Sequence, residues 1–297
     1  MKKQANGSTA PEAAALVGVN VVSIAVNLPG PACARRLADF GATVIKVEPP
    51  EQLGGDPMHH YARSYYDELH RGIEVKVLDL KTETGRGALL ALLKTADVLL
   101  TSQRGAALAR LGLAWETLAA QFPKLNHVAI AGSVSEDNAG HDLTYVAVAG
   151  LATPPHLPPT LLADLGGAER AVAATFAALR LSQRDGHGHR IVVSLENAAG
   201  TFAGPHRHGL TDTGGLLAGK HPGYNFYRAS DGWIALAALE PHFAARVQAA
   251  SGVSFTRDAL AAYFLSHDLQ HWTGWAAEND IPLAAIPHAP SSPTSGS

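Results

Sequence analysis

The chain has few features that would cross-link it or attract a highly charged partner. It contains one cysteine, Cys33, among 297 residues, which excludes an intramolecular disulfide framework and a thiolate metal cluster. Its formal net charge of −3 at pH 7 provides no bulk attraction to nucleic acid or to anionic lipid. Only 16% of the residues are charged and 46% are hydrophobic, which favours a compact globular protein. Any polyanionic ligand must therefore be held by local Lys and Arg side chains.

Long hydrophobic runs are also missing. No stretch approaches the ~18 apolar residues of a membrane span, and the polar first residues lack the apolar centre of a signal peptide. With the lack of disulfides, these features predict a cytoplasmic protein that has no membrane or nucleic-acid partner. We expect a disordered leader over residues 1–15 and a flexible tail over residues 289–297.

Metal-binding motifs are absent although the chain has 15 histidines. The HGH run at 187–189 and the HRH run at 206–208 lack both the HExxH spacing and an accompanying carboxylate pattern. Glycine-flanked histidines in loops are usually solvated. We therefore predict no metal site.

The first part of the chain alternates between strand and helix patterns. The apolar, β-branched run 17–26 predicts a buried strand, NLPGP predicts a turn, and 32–41 predicts a helix that ends at Gly41. A second strand follows and stops at prolines 49 and 50. Strand, helix and strand in about thirty residues form a βαβ unit, so we predict an α/β fold with an open, Rossmann-like parallel sheet. The first turn lacks GxGxxG, which argues against a dinucleotide site.

A change of composition marks a domain boundary. Residues 201–221 are rich in glycine and histidine and predict a linker. We therefore expect a large α/β domain over 16–205 and a small α+β domain over 206–288. The small domain should contain a β-hairpin, in YNFYRASDGWIALAAL, and two amphipathic helices. Residues 51–73 have the mixed polarity of a surface loop, and 165–182 predict a long helix.

One imidazole and one carboxylate, His141 and Asp164, each lie where a loop is predicted to become a helix. Asp164 precedes Leu165-Gly166-Gly167 and an alanine-rich run, a pattern typical of a helix start with Asp as N-cap. The free N–H groups of a first turn favour negative charge, and glycines let a ligand approach closely. A thioester oxygen that gains charge could be stabilised there. The alternative is that Asp164 only caps the helix and that His141 is structural.

Three segments resemble the family III CoA-transferase (CaiB/BaiF) group, most closely its alpha-methylacyl-CoA racemases. They are GHDLTYVAVAG, LLADLGGA and GYNFYRASDGWIALAALEPHF. The resemblance implies the fold of that family, an acyl-CoA substrate, a role in fatty acid metabolism and an interlocked homodimer. It implies no permanently bound cofactor, because coenzyme A enters as part of the thioester substrate.

The resemblance also implies roles for individual residues. His141 and Asp164 would be the two bases that remove and return the proton next to the thioester, and Glu240 would partner the histidine. In the CoA-transferases, the residue at position 164 instead attacks the acyl carbon and forms a mixed anhydride. That chemistry does not need His141, so GHD together with LEPHF favours a racemase.

Three cations are candidates for binding the phosphates of coenzyme A. Lys46, Arg71 and Arg104 fall at the ends of predicted strands or in the adjoining helix, the side of an open sheet where ligands bind. Their alternative is ordinary solvated charge.

Several departures from the family pattern keep a third possibility open, a homologue that binds a CoA ester without turning it over. The loop at 133–138 lacks the family's glycines, and Ile73 stands where a lysine is usual. The chain also ends before the segment that, in the family, returns to the large domain.

Overall fold

A computed structural model describes residues 14–133 and 140–287. Most of the predicted leader, the predicted tail and nearly all of the loop at 133–138 lie outside these ranges. The chain divides into two compact units, residues 1–203 and 204–297. The division follows Ala203, whereas the sequence predicted it after residue 205. In the described residues, no helix is both long enough and apolar enough to cross a bilayer.

The first unit is built on a six-stranded sheet in the order β3-β2-β1-β4-β5-β6, and every neighbouring pair is parallel. The strands are β1 (Asn20–Ser23), β2 (Thr43–Glu48), β3 (Glu74–Val77), β4 (Val98–Thr101), β5 (Asn126–Ala131) and β6 (Arg190–Ser194). This confirms the predicted α/β fold with an open, Rossmann-like parallel sheet. The strand order reverses between β1 and β4, and ligands of such sheets bind at the carboxyl ends next to that reversal.

Nine helices in the described part of the first unit connect the strands. They are α1 (Pro29–Asp39), α2 (Met58–Tyr61), α3 (Arg63–Leu69), α4 (Glu83–Leu93), α5 (Gly105–Arg110), α6 (Trp115–Gln121), α7 (Asp142–Val148), α8 (Leu162–Asp185) and α9 (Leu195–Phe202). Helix α1 begins three residues before the predicted start because Pro29 is tolerated in a first turn, where its missing N–H has no intrahelical partner. The segment 51–73, predicted as a loop, contains α2 and α3, which bury Met58, Tyr66 and Leu69.

The core of this unit lies on both faces of the sheet. Neighbouring strand residues point to opposite faces, so Val98 and Leu100 join one buried cluster and Leu99 joins the other. Because both faces of the central strands are covered by helices, the apolar residues of β1 and β4 are continuous and not alternating. This explains why the run 17–26 could be recognised as a buried strand.

The second unit contains a three-stranded antiparallel sheet in the order β7-β8-β9. Its elements are α10 (Gly204–Arg207), a π-type turn (Leu216–Lys220), β7 (Tyr224–Arg228), β8 (Gly232–Ala237), α11 (Pro241–Ser251), α12 (Arg257–Phe264), α13 (Leu269–Glu278) and β9 (Leu283–Pro287). The predicted hairpin is confirmed as β7 and β8. The second predicted amphipathic helix, over residues 257–279, is two helices, α12 and α13. Asp268 accepts a hydrogen bond from the His271 N–H at 2.8 Å and caps the start of α13.

His127 is a buried imidazole in the sheet of the first unit. It lies on β5, and its Nε2 is 2.9 Å from the hydroxyl of Thr101 on β4. Burial, followed by the charge of Arg190, lowers the pKa of His127 to about 4. The ring is therefore neutral at pH 7 and resists protonation only while the protein is folded.

We predict that His127 makes the first unit lose stability on acidification. The unfolded state binds its proton near pH 6.5 and the folded state only near pH 4, so stability is complete above pH 6.5 and falls as the pH drops towards 4. From pH 7 to pH 5 this loss amounts to about 2 kcal/mol. Urea unfolding at both pH values should show a smaller loss in His127→Leu. His60→Leu, at an exposed histidine, should behave as wild type, and an unchanged loss in His127→Leu would contradict the prediction.

Candidate active site

A cavity of about 460 Å³ opens in the first unit. Its wall is formed by the segments that follow β1, β4 and β5, together with the N-terminal turns of α7 and α8. The polar residues on the wall are Asn27, Tyr61, Ser102, Gln103, Arg104, His141, Asp142, Tyr145, Asp164 and Arg190. The cavity thus lies at the carboxyl edge of the sheet, and both His141 and Asp164 line it.

His141 immediately precedes α7 and has an extended backbone. Its N–H donates to the hydroxyl oxygen of Thr144 at 3.1 Å, and that hydroxyl donates to the His141 carbonyl at 2.7 Å. These two hydrogen bonds use the backbone of His141 and the side chain of Thr144. They hold the exposed imidazole at the start of the helix without engaging its ring.

Asp142, the next residue, joins the starts of two helices. Its carboxylate is 5% exposed and accepts hydrogen bonds from the backbone N–H groups of Ala163 (2.6 Å) and Asp164 (3.0 Å). Helix α8 begins at Leu162, and the residue before it, Leu161, makes no side-chain cap. The expectation that Asp164 is the N-cap is therefore wrong. Asp142 satisfies the first N–H groups of α8 from α7, and Asp164 lies in the first turn with its carboxylate available.

The environment of Asp164 favours the protonated carboxyl group. Burial has the largest effect, the neighbouring charge of Asp142 adds to it, and His141 opposes it, with the result that the pKa of Asp164 rises from 3.8 to about 6. Burial and the negative charge of Asp164 also raise the pKa values of Tyr61 and Tyr145. Both phenols stay neutral at pH 7. The Tyr61 hydroxyl donates to Asn27 Oδ1 at 3.2 Å, whereas the Tyr145 hydroxyl can donate a hydrogen bond into the cavity.

Gly166 and Gly167 do not form an oxyanion site at a helix start. Both lie more than one turn inside α8, where backbone N–H groups belong to the helix's own hydrogen-bond ladder. A Cβ at Gly166 would come within 2.2 Å of the Phe202 ring, and one at Gly167 within 2.2 Å of Leu195 Cδ2. The glycines therefore let α8 and α9 approach each other. The prediction of an oxyanion site is wrong because the helix begins three residues earlier than expected.

The three predicted cations are in three different places. Arg104 follows β4, is exposed and lines the cavity with His141 and Asp164. Arg71 precedes β3, which places it at the amino edge of the parallel sheet and not at the carboxyl edge. Lys46 lies within β2 and is completely buried, so its predicted contact with a phosphate is contradicted.

Lys46 instead holds in place two segments that contribute residues to the cavity wall. Its ammonium group donates to Asp56 Oδ2 at 2.7 Å and to the Ala25 carbonyl at 2.5 Å. Asp56 also accepts hydrogen bonds from the N–H groups of Asn27 (3.2 Å) and Met58 (3.1 Å). The buried pair therefore ties the turn after β1 to the segment that carries α2. Asn27 adopts a left-handed backbone conformation there, with φ at 64°, which asparagine tolerates better than most residues.

Glu240 belongs to the second unit. It is exposed and immediately precedes α11, with Pro241 as the first helical residue. Its predicted partnership with His141 stays a prediction.

Sequence reasoning did not single out several residues of the cavity wall. Tyr145 is four residues after His141 on α7, and this helical spacing could have indicated it. Asn27 is the first residue of the NLPGP segment, which was predicted only as a turn. Tyr61 and Arg190 had no such signal, because only the packing of distant segments brings them to the cavity.

An open parallel sheet with a cavity at its carboxyl edge is typical of the class of doubly wound α/β proteins. Within that class, the chain belongs to CoA-transferase family III, whose family model matches residues 16–290. This confirms the resemblance drawn from the three sequence segments. Structural comparison agrees: a CAIB/BAIF family protein from Brucella suis has a TM-score of 0.76 at 24% identity, over 91% of this chain and 83% of that one. A hypothetical protein from Mycobacterium tuberculosis has a TM-score of 0.74 at 22% identity, over 94% of each chain.

Curated relatives include both kinds of enzyme expected from the sequence. Human alpha-methylacyl-CoA racemase is 32% identical over 251 residues, 77% of this chain and 63% of that protein. Succinyl-CoA–D-citramalate CoA-transferase from Chloroflexus aurantiacus is 32% identical over 262 residues, 79% of this chain and 64% of that protein. The chain thus spans less than two thirds of the length of either relative. Because a racemase and a transferase are equally similar, the likeness establishes the family and not the reaction.

The raised pKa of Asp164 predicts that this carboxylate destabilises the folded protein. A folded-state pKa of about 6 against a usual 3.8 means that the ionised group costs stability at pH 7 and that acidification relieves the cost. Asp164→Asn should therefore be more stable than wild type by about 3 kcal/mol at pH 7, and the advantage should shrink by about 1 kcal/mol at pH 5. Urea unfolding at both pH values measures it. A variant no more stable than wild type at pH 7 would show that Asp164 is not strained by burial.

The close packing at Gly167 can be tested against its rejected role as a ligand site. Gly167→Ala should destabilise the protein by about 1–3 kcal/mol, because the new methyl group overlaps with the buried Leu195. Gly200→Ala on the neighbouring α9 is the matched control. A Cβ there meets no atom within 4 Å, so it should be neutral or stabilising by up to about 1 kcal/mol. Thermal unfolding compares the two. Equal stability of Gly167→Ala and wild type would overturn the packing role.

Proposed function

We propose that the chain is a racemase of 2-methylacyl-CoA thioesters. The observation that carries this proposal is that His141 and Asp164 line one cavity, at two helix starts that Asp142 joins. Racemisation by two bases needs two such groups around a single carbon. The family includes racemases, and one of them is among the relatives of this chain.

The chemistry follows from the acidity of the carbon next to the thioester. One base takes the proton from one face, the electron pair of the C–H bond moves into the thioester carbonyl, and an enolate forms. The conjugate acid of the other base then returns a proton to the opposite face. A pKa of about 6 suits Asp164 to this work, because proton transfer is most efficient when the catalytic pKa lies near the operating pH. The neutral phenol of Tyr145 is a donor that could stabilise the enolate oxygen.

The remaining parts of the proposal concern binding. Arg104, exposed on the cavity wall, would pair with a phosphate of coenzyme A. Coenzyme A enters as part of the substrate, and the reaction needs no permanently bound cofactor. Glu240 would orient His141, and the active form would be an interlocked homodimer in the cytoplasm. Gel filtration tests the dimer.

A CoA-transferase is the second candidate, and the relatives of that class favour it as strongly by identity. The carboxylate of Asp164 would attack the acyl carbon, and the C–S bond would break to release CoA as its thiolate. The thiolate would attack the Asp164 carbonyl of the resulting aspartyl–acyl anhydride and release the first acid as its carboxylate. The carboxylate of a second acid would then attack the aspartyl–CoA thioester and release the thiolate, which would attack the acyl carbon of the new anhydride to form the new acyl-CoA and free the Asp164 carboxylate. His141 has no part in this sequence, so its position beside Asp164 supports the racemase.

Deuterium exchange separates the candidates. In D₂O, the wild type should interconvert the two epimers of a 2-methylacyl-CoA and incorporate deuterium at the α-carbon. His141→Ala and Asp164→Ala should each lower interconversion at least about 100-fold, the usual contribution of a general base. Each variant should exchange at most the epimer whose proton faces the remaining base. Mass spectrometry and chiral chromatography measure the two readouts.

The control is His156→Ala, at an exposed histidine, which should retain full activity. Full interconversion by His141→Ala would refute the two-base mechanism. Acyl movement to a second carboxylic acid that survives in His141→Ala would identify a transferase. If the wild type does neither but binds coenzyme A, it is a non-catalytic homologue.

A further inference from the structure

Three side chains with metal-ligating atoms meet at the amino edge of the first unit's sheet, and none of the three lines the cavity. Asp185 is the last residue of α8, and His187 and His189 follow in the turn that leads into β6. One ligand atom from each lies within 4.8 Å of the others. In the described residues, no other group of three such side chains is that close. Asp185 therefore supplies a carboxylate beside the HGH run from the end of the helix.

The backbone of this turn is held rigidly. Gly186 ends α8 in a left-handed conformation, with φ at 76°. The Gly188 N–H donates to the Pro123 carbonyl at 2.7 Å, and a Cβ at Gly188 would lie 1.9 Å from the Leu125 carbonyl oxygen. The His189 N–H donates to Asn126 Oδ1 at 3.0 Å. The ligands therefore project from fixed positions, which lowers the entropy cost of binding an ion.

The two imidazoles each have a nitrogen that an ion could contact. His187 Nδ1 lies 3.1 Å from the Gly188 carbonyl, which can only accept, so Nδ1 carries the proton and Nε2 has the lone pair. A metal-binding histidine usually donates its other N–H to such a carbonyl. His189 Nε2 is buried and has no hydrogen-bond partner among the described residues, although it lies 3.1 Å from Asp185 Oδ2. A cation between these two atoms would satisfy both.

The surrounding charges have opposite effects on the binding of a cation. The C-terminus of α8 carries the negative end of the helix dipole and favours a cation. Arg184 opposes it, because its guanidinium group contacts both carboxylate oxygens of Asp185, at 2.6 and 3.0 Å. This ion pair is exposed and therefore weak enough for a metal ion to displace.

We propose that Asp185, His187 and His189 bind a divalent transition-metal ion, with Zn²⁺ as the best match. The bound ion would connect the end of α8 to the turn that leads into β6. Two imidazole nitrogens and one carboxylate oxygen suit Zn²⁺ and not Mg²⁺, which prefers oxygen ligands. Ligand atoms around one zinc ion lie at most about 4 Å apart, so the side chains need only a small rotation. This site is separate from the proposed racemase activity.

Isothermal titration of the whole chain, without an affinity tag, tests the proposal with Zn²⁺ and with Mg²⁺. The wild type should bind Zn²⁺ at this site and not Mg²⁺, and Zn²⁺ should raise its melting temperature. His187→Ala and His189→Ala should each weaken Zn²⁺ binding at least about tenfold. Arg184→Gln should strengthen it about two- to fivefold, because it removes a competing cation.

Other histidines provide the matched control. The double variant His206→Ala/His208→Ala changes the second HxH run and should leave the affinity for Zn²⁺ and the rise in melting temperature unchanged. Equal affinities for the wild type and the double variant His187→Ala/His189→Ala would overturn the proposal. Weaker binding by Arg184→Gln would exclude Asp185 as a ligand. Melting of each variant without metal shows that it remains folded.

Discussion

The candidate site depends on one carboxylate, that of Asp142. It is buried at the start of α7 and satisfies the first N–H groups of α8. Because His141 is its neighbour in sequence and Asp164 is one of its hydrogen-bond partners, the same group positions both candidate bases. Its negative charge also raises the pKa of Asp164. A single buried group thus sets the geometry and part of the electrostatics.

A second buried carboxylate, that of Asp56, fixes another part of the cavity wall. Its ion pair with Lys46 and its hydrogen bonds from the backbone join the turn after β1 to α2. A buried ion pair adds little net stability, because both charges must be removed from water. Its hydrogen bonds are directional, however, and they hold Asn27 and Tyr61 at the cavity. Two buried acids, Asp142 and Asp56, therefore hold the residues of the site in place. The exposed Arg104 remains accessible to a ligand.

The two ends of α8 have different chemistry. Its first turn carries Asp164 at the cavity, and its last residue, Asp185, lies with two histidines at the amino edge of the sheet. Between them, Gly166 and Gly167 allow α9 to pack closely. An ion bound at the far end would hold the helix in place without touching the substrate.

The sequence by itself determined the alternation of strands and helices, the parallel sheet, the hairpin of the second unit and the family, because these follow from local periodicity and contiguous motifs. It also identified His141, Asp164 and Arg104 as candidates. Only the tertiary structure decided that Asp142 caps α8, that Lys46 is buried against Asp56, and that the paired glycines serve packing. Each of these is a contact made through space by packing, capping or burial, and short-range patterns do not encode such contacts.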